Sequence, residues 1–187
     1  MADEHRRRYL PHEWLDSRVE VRVSPIAGRG LFARVPIEEG QPVVVWGGQV
    51  FTTAEIQAGK VAERSTVPIG EGIYLGSPVG EYDRDRNDLG DLMNHSCDPI
   101  VWMQDEVTLV TRRAIAAGEE LTTDYVFWKD DEVSVSPFVC SCGSPVCRHR
   151  ITGQDWRRAE LQSRYAGHFS PFINERIQKL RQQSEGH

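Results

Sequence analysis

The chain has 187 residues, with 28 acidic and 22 basic side chains, a formal net charge of −6 and a hydrophobic share of 39%. These values are ordinary for a globular protein, and the length is typical of one domain that buries its own core without disulfide bonds. No stretch approaches the roughly 18 apolar residues of a membrane helix, and residues 1–10 are charged rather than apolar. We therefore expect no signal peptide, no membrane partner and a cytoplasmic location.

The excess of acidic side chains also affects which partners the chain can bind. Nonspecific binding to duplex DNA draws its affinity mostly from Lys and Arg on phosphates, so a net charge of −6 argues against it. A basic polypeptide is the electrostatically easier partner. We expect no direct sequence-specific binding of nucleic acid.

Short strands dominate the elements predicted for the first two thirds of the chain. In residues 19–23 valines alternate with charged residues, as in a half-buried strand. Residues 43–46 form a short apolar run that two glycines close, and residues 73–75 predict a further strand. Residues 100–111 predict a hairpin, since two strand-like runs flank a polar turn.

One helix is predicted within this β-rich part. Thr52 and Glu55 have the spacing of a capping box, in which each side chain bonds to the other residue's backbone N–H. A helix should therefore span roughly residues 53–64, with Ile56 and Val61 facing the core.

The C-terminal segment changes to helical character. Residues 155–165 carry helix-forming side chains and predict one helix. Ser170 and Pro171 suit the N-cap and the first turn of a second helix, from Phe172 to about Gln183.

The four cysteines are the first chemical signal. Cys140, Cys142 and Cys147 have the spacing C-x-C-x4-C, and Cys97 is the remaining one. Without a secretory signal, such a cluster more often binds a metal than forms disulfides. Zinc takes four tetrahedral ligands, so a fourth must come from outside the loop. Four unligated thiols, an iron–sulfur cluster, and His149 as a ligand are the alternatives.

Three other features have no specific meaning alone. Residues 28–30 form a Gly-Arg-Gly turn that lacks the helix context of a dinucleotide-binding motif. Asn94 and His95 by themselves indicate a polar turn, and Tyr125 by itself indicates a buried aromatic. Their order along the chain changes this interpretation.

Four ordered motifs resemble those of the SET-domain protein lysine methyltransferases. Residues 91–99 contain the asparagine-histidine-serine-cysteine signature, and residues 28–33 resemble the N-terminal cofactor motif. Residues 118–125 resemble the catalytic-tyrosine motif, and residues 140–148 resemble the post-SET element that many members lack. The resemblance covers about residues 19–150.

The resemblance implies the fold. We expect a β-rich, mixed α+β SET fold of small curved sheets with a pseudoknot-like crossing, a post-SET zinc loop and a C-terminal helical tail. Residues 1–18 would form an N-terminal extension, 19–128 the SET domain, 129–153 the post-SET zinc-binding segment and 154–187 the tail.

It also implies the activity and the site. The chain would transfer methyl groups from S-adenosylmethionine (SAM) to the ε-amine of lysine in a histone or another basic protein, with Tyr125 at the transfer point. A nuclear or chromatin-associated location would then apply in a eukaryote. The implied cofactor-binding residues are Gly28, Arg29, Gly30, Asn94, His95 and Trp128. The implied ligands of one structural zinc are Cys97, Cys140, Cys142 and Cys147.

The sequence departs from the family at three places. Members commonly carry Phe or Tyr two positions before the catalytic tyrosine, and that side chain influences how many methyl groups are added; here it is Thr123. Ile100 replaces a usual asparagine. Residues 81–88, where members are usually apolar, are strongly charged and predict a solvated loop. For the five acids of residues 81–91 a solubilising surface loop is the favoured interpretation, and a field that favours a basic substrate is the alternative.

Aromatic residues are candidates for the walls of a lysine channel or an adenine pocket. They are Trp46, Trp102, Phe127, Trp128 and Phe138. Two other functions stay open: a catalytically weak binding module with the same fold, and a zinc-organised interaction domain.

Overall fold

The computed structural model describes residues 9–130 and 137–185. Short strands dominate these ranges. They are β1 (Trp14–Leu15), β2 (Val19–Val23), β3 (Arg29–Ala33), β4 (Pro42–Val45), β5 (Gln49–Thr52), β6 (Val67–Gly70), β7 (Ile73–Gly76), β8 (Asn94–His95), β9 (Val101–Met103), β10 (Thr108–Thr111), β11 (Glu120–Thr123), β12 (Phe138–Val139) and β13 (Arg150–Ile151). The α-helices are α1 (Thr53–Gln57), α2 (Ala159–Arg164) and α3 (Pro171–Glu185), and the 3-10 turns are Glu63–Ser65, Leu89–Leu92, Tyr125–Phe127 and Asp155–Arg157.

The strands form three sheets. The largest has the order β1-β4-β10-β9-β11-β3-β2, with β8 also paired to β11. A second sheet has the order β5-β7-β6, and β12 pairs with β13. The strands predicted at residues 19–23, 43–46 and 73–75 and the hairpin at 100–111 are confirmed as β2, β4, β7 and β9-β10. This β-rich architecture with few helices is the expected fold class.

The chain crosses itself at β11. Thr123 pairs in parallel with His95 on one edge of β11 and with Val101 on the other. The turn between them is held over the strand by backbone N–H groups of Ser96 and Ile100, which donate to β11 carbonyls at 2.9 and 3.0 Å. The crossing brings the end of β8 next to the residues that follow β11.

One hydrophobic core joins the sheet to the C-terminal segment. Leu31 and Leu121 of adjacent strands are completely buried, and Tyr165 and Ile173 are completely buried in the same cluster. Burying a large apolar side chain contributes about 1.5–3 kcal/mol. The helical tail is therefore packed into the same core as the sheet.

The helix after β5 is shorter than predicted. The capping box is present: Thr52 Oγ1 accepts from the Glu55 N–H at 3.3 Å, and the Glu55 carboxylate accepts from the Thr52 N–H at 3.0 Å. However, α1 ends at Gln57, because Gly59 adopts a left-handed φ of 70° that terminates the helix. The prediction of a helix to residue 64 was wrong, and Val61 instead forms an isolated β-bridge.

The tail contains three helical pieces instead of two. Residues 155–165 divide into a 3-10 turn and α2, because Arg158 between them is extended (φ −74°, ψ 121°). The second predicted helix is confirmed as α3, where Ser170 Oγ accepts from the Ile173 N–H at 3.2 Å. Within the described ranges, no helix is both long enough and apolar enough to cross a membrane.

Ile173→Ala tests whether α3 belongs to the core. Ile173 is completely buried, so we expect the substitution to lower the free energy of unfolding by about 3 kcal/mol. Gln178→Ala on the exposed side of α3 is the matched control and should change it by less than about 0.5 kcal/mol. Urea unfolding followed by circular dichroism measures both. Equal midpoints for the two variants would contradict a shared core.

Candidate active site and metal site

Two cavities meet beside the end of β11. The larger cleft, of about 580 Å³, lies between the turn at Gly28, β8 and the cysteine loop. The smaller cavity, of about 250 Å³, lies on the side of Trp46 and Trp128. The residues that line both are Arg64, Asp91, Met93 and Tyr125. Tyr125, the predicted catalytic residue, thus lies at the junction.

The structure brings four of the six predicted cofactor residues to the larger cleft. They are Gly28, Arg29, Asn94 and His95. Gly28 has a left-handed φ of 53°, and a Cβ there would meet no atom within 4 Å, so the backbone is open to a ligand.

Gly30 and Trp128 lie elsewhere. A Cβ on Gly30 would collide with the Glu120 carboxylate, so this glycine is required by packing behind the cleft. Trp128 lines the smaller cavity and packs edge-on against Trp46, with ring centroids 4.7 Å apart. The geometry therefore does not place Trp128 with the other predicted cofactor residues.

The other aromatic candidates divide between cavities and core. Phe138 lines the larger cleft and Trp46 the smaller cavity. Phe127 is completely buried in the core, and Trp102 stacks on His168 with centroids 3.4 Å apart. Trp46, Trp128 and Phe138 remain as wall residues.

Asn94 ties β8 to the glycine turn. Its Nδ2 donates towards the carbonyl oxygens of Ala27 and Arg29, both at 3.2 Å, and towards Glu120 Oε1 at 2.8 Å. The Ser24 hydroxyl donates to the same Glu120 carboxylate at 2.8 Å. Ser24 and Glu120 are positioning residues that the sequence analysis missed, although Glu120 lies inside the catalytic-tyrosine motif.

His95 links the tyrosine to the cysteines. Its Nδ1 accepts from the backbone N–H of Tyr125 at 3.3 Å, and its Nε2 lies 3.4 Å from Cys97 Sγ. Burial lowers the pKa of His95 to about 4, so the ring is neutral near pH 7. Because Nδ1 accepts a hydrogen bond, the ring proton is on Nε2 and points at the sulfur.

Tyr125 is held by its hydroxyl. The hydroxyl donates to the Met93 carbonyl at 3.1 Å, and the ring lies 5.2 Å from that of His95 and 6.0 Å from that of Phe138. Burial, with the nearby Asp91 carboxylate, raises the pKa of Tyr125, so the phenol stays protonated.

The four cysteines converge from two distant parts of the chain. Their Sγ atoms all lie within 4.8 Å of one another, and Cys97 Sγ is 3.9 Å from Cys140 Sγ. Tetrahedral zinc with Zn–S bonds of about 2.3 Å separates its sulfurs by about 3.8 Å, so the set fits one zinc. His149 does not belong to this group. Four thiolates leave no open coordination position, so the metal would organise structure.

A buried ion pair that no sequence pattern predicted lies next to these cysteines. Arg148 donates to both carboxylate oxygens of Asp124, at 2.5 and 2.8 Å, and its Nε donates to Asp155 at 3.0 Å. Side-chain exposure is 4% for Arg148 and 0% for Asp124. Tyr165 adds a hydroxyl that contacts Asp124 at 3.2 Å. The residue before Tyr125 is thus locked to the cysteine loop and to the tail.

The acidic segment before the signature is only partly a solvated loop. Asp85 is exposed and pairs with Arg29. Asp88 is 5% exposed and accepts hydrogen bonds from the Ser77 hydroxyl and from the Asp83 N–H. Asp91 lines both cavities. The expectation of a solvated loop was wrong for Asp88 and Asp91.

Metal analysis tests the cysteine site. We expect about one zinc per chain, and we expect Cys140→Ser to lose most of that zinc and several kcal/mol of stability, because folding and metal binding are coupled. Ser141→Ala, an exposed change between two of the ligands, should retain the metal. Iron with a visible cluster spectrum, or full zinc content in Cys140→Ser, would contradict the assignment.

The chain is similar to proteins named as methyltransferases. Histone-lysine N-methyltransferase trr of Drosophila melanogaster is 31% identical over 153 residues, which cover 74% of this chain and 6% of that protein. Histone-lysine N-methyltransferase 2B of Homo sapiens is 32% identical over 148 residues, which cover 70% of this chain and 5% of that protein. The chain therefore corresponds to a small part of the length of these relatives.

Solved structures and a family model agree with the similarity to these relatives. KRYPTONITE in complex with mCHG DNA and SAH has a TM-score of 0.55 and 27% identity, covering 73% of this chain and 29% of that one. Arabidopsis thaliana SUVH6 in complex with SAM has a TM-score of 0.56 and 18% identity, covering 73% and 33%, and shares the fold. The SET domain model matches residues 28–126, more than half of the chain. By this match the chain belongs to the SET domain family.

Proposed function

We propose that this chain is a SAM-dependent methyltransferase that acts on the ε-amine of lysine in a protein substrate. The observation that carries the proposal is the meeting of two cavities at Tyr125. One is large enough for a cofactor, and the other is smaller, with three aromatic side chains among the twelve residues that line it. Relatives named histone-lysine N-methyltransferase, and similar structures in complex with SAM and SAH, support the same activity.

The larger cleft suits SAM, which when bound supplies a methyl group on a positively charged sulfur. Its volume of about 580 Å³ lies within the roughly 300–1,000 Å³ of small-molecule sites. Gly28 leaves backbone groups open on one wall, while Phe138 offers an aromatic face on another. Cys140 and Cys142 also line the cleft, so the metal loop forms part of the cofactor wall.

The smaller cavity suits a lysine side chain, and we call it the lysine channel. Trp46, Trp128 and Tyr125 supply aromatic walls, and Val67 and Leu109 supply aliphatic ones. Such walls remove water from the methylene stem of a lysine while its amine reaches the junction. The substrate and the cofactor would therefore meet at Tyr125 from opposite sides.

The chemistry requires a neutral amine. A lysine ammonium has no lone pair and an ordinary pKa of about 10.4, so the site must favour its deprotonation. Arg64 and Lys129 line the channel, and positive charge near an amine lowers its pKa. The Lys129 amine itself has a pKa lowered by burial. Desolvation and these cations act in the required direction.

Tyr125 would orient the amine. Because its hydroxyl proton is directed at the Met93 carbonyl, the lone pairs of the oxygen remain available to accept from an amine N–H. An amine held this way would face the methyl group that bound SAM supplies, and positioning of this kind would carry most of the acceleration.

Tyr125→Phe tests the function directly. We expect SAM affinity within about twofold of wild type and a kcat about 10–100-fold lower, because only the orienting hydroxyl is lost. Radiolabelled methyl transfer to a library of lysine peptides, with calorimetry for SAM, gives both values. Tyr9→Phe is the matched control, since it removes a hydroxyl bonded to Glu106 on another part of the surface. Equal turnover by Tyr125→Phe and wild type would refute the role of Tyr125.

Thr123→Phe tests what sets the number of methyl groups. Thr123 is 1% exposed and lines the lysine channel, so a phenyl ring there would fill space that a methylated amine needs. We expect mass spectra of exhaustively treated peptide to shift towards monomethyl-lysine. Thr123→Val keeps the shape of the side chain and should keep the wild-type distribution. An unchanged product distribution in Thr123→Phe would show that Thr123 does not limit the channel.

A further inference from the structure

We propose that the carboxylate of Asp91 accepts the proton that a substrate lysine must lose before methyl transfer. This inference rests on the proposed function and adds a residue that none of the sequence motifs assigns to catalysis. It follows from the position of Asp91, from its unsatisfied oxygen and from the charges around it.

Asp91 lies where the two cavities meet. It belongs to the 3-10 turn Leu89–Leu92, and it shares the junction with Tyr125, since both line the larger cleft and the lysine channel. A lysine amine that reaches Tyr125 through the channel therefore comes to the wall that Asp91 forms. This is the point at which the amine must be neutral.

The junction contains polar atoms that lack partners. Among the described residues, Asp91 Oδ2 and Thr123 Oγ1 are buried without a close hydrogen bond, and the Tyr82 hydroxyl and Arg84 are the neighbouring donors on the Asp91 side. Buried polar groups are normally paired, and each unpaired one costs about 1–3 kcal/mol. An ammonium is a donor without acceptor capacity, so a substrate amine at the junction supplies the hydrogen that Asp91 Oδ2 lacks.

Other acidic groups face Asp91 from two elements. Asp88 lies on the same segment, and Glu13 comes from the strand-like stretch before β1, where its carboxylate accepts from the Gly90 N–H. Burial and the Asp91 charge raise the pKa of Glu13 well above its usual range. The charge of Asp88 makes a proton on Asp91 less costly than on an isolated aspartate.

Basic groups face Asp91 from two further elements. Arg84 comes from the segment that follows β7, and Lys129 follows the Tyr125 turn. Burial raises the pKa of Asp91 to about 7, helped by Asp88; the neighbouring Tyr82 hydroxyl, Lys129 and Arg84 oppose the shift. A carboxylate with such a pKa is ionised at slightly alkaline pH and can still hold a proton briefly.

The surroundings of Asp91 and of a lysine amine in the channel change the pKa values of both groups. Free lysine and free aspartate differ by about 6.5 pKa units, too far for efficient proton exchange. Here burial raises the pKa of Asp91, and burial lowers the pKa of an amine in the channel, as it does for Lys129; Arg64 acts in the same direction on the amine and the Asp91 charge acts against it. Burial therefore brings the pKa of Asp91 and the pKa of the amine closer together.

The proton transfer and the methyl transfer together conserve atoms, electrons and charge. One proton passes from the lysine Nζ to Asp91 Oδ2, and the lone pair left on Nζ forms the new N–C bond with the methyl group. The C–S bond of SAM breaks with its electron pair on sulfur, and the product leaves as a methylammonium. Asp91 then releases its proton to solvent through the larger cleft.

The test is the pH dependence of kcat for lysine peptide methylation between pH 6 and 10. In the wild type, kcat should rise with pH through about 7, because Asp91 must be ionised to accept the proton. Asp91→Asn should be at least about 10-fold slower at pH 7.5 and should climb towards the pH at which lysine deprotonates unaided. Asp91→Glu retains a carboxylate and should keep a rise near neutral pH. Glu39→Gln, an exposed acid, should behave as wild type.

The possible results distinguish a failure of the role of Asp91 from a failure of the proposed function. SAM affinity by calorimetry shows that each variant is folded, and the wild-type profile is informative even if Asp91→Asn fails to fold. A wild-type kcat that rises only above about pH 9 would overturn the role of Asp91. The same kcat and profile in Asp91→Asn and wild type would also overturn it while leaving the methyltransferase intact. A wild type that binds SAM but methylates no lysine would overturn the proposed function and with it this inference.

Discussion

The buried pair between Arg148 and Asp124 is the interaction on which the site depends. It joins the residue before Tyr125 to the cysteine loop with two hydrogen bonds of 2.5 and 2.8 Å, and Asp155 extends it into the tail. Removing one partner of such a pair leaves an uncompensated buried charge and costs about 3–5 kcal/mol. The convergence of four cysteines joins the same loop to Cys97, which follows β8. Both links keep the loop at 140–147 against the crossing at β11.

The position of this loop decides the shape of the cleft. Cys140 and Cys142 line the same cleft as Gly28, so without the loop the cleft would lose part of its wall. Tyr125 has two further contacts, through its hydroxyl on the Met93 carbonyl and its N–H on His95. Neither of these contacts involves the cysteine loop, whereas the cofactor wall does. This division explains why loss of the metal should weaken binding more than it alters the geometry at Tyr125.

The parts of the fold that were predictable depend on local patterns. Alternating valines predicted β2 correctly, and the Thr52–Glu55 capping box predicted where α1 begins. The end of α1 was missed, because the left-handed backbone at Gly59 outweighed the helical pattern that continues beyond it. The cysteine set was anticipated by resemblance to a family, since sequence spacing alone does not bring Cys97 to the loop.

The parts that were not predictable depend on distant partners. Arg148 and Asp124 are separated by 24 residues, and no local pattern pairs one arginine among 19 with one acid among 28. Asp88 and Asp91 resembled solvated charges because burial is decided by segments that come from elsewhere, such as the stretch containing Glu13. The pairing and burial of these residues are what the structure shows beyond the sequence motifs.

The central claim is that the cysteine loop and the glycine turn together form a SAM site. Calorimetry of SAM binding before and after removal of the metal with a chelator tests it most directly, with circular dichroism confirming that the sheet remains folded. We expect measurable binding in the zinc-loaded protein and at least about a 10-fold loss of affinity without metal. Equal affinity in both forms, or no binding by the zinc-loaded protein, would contradict it.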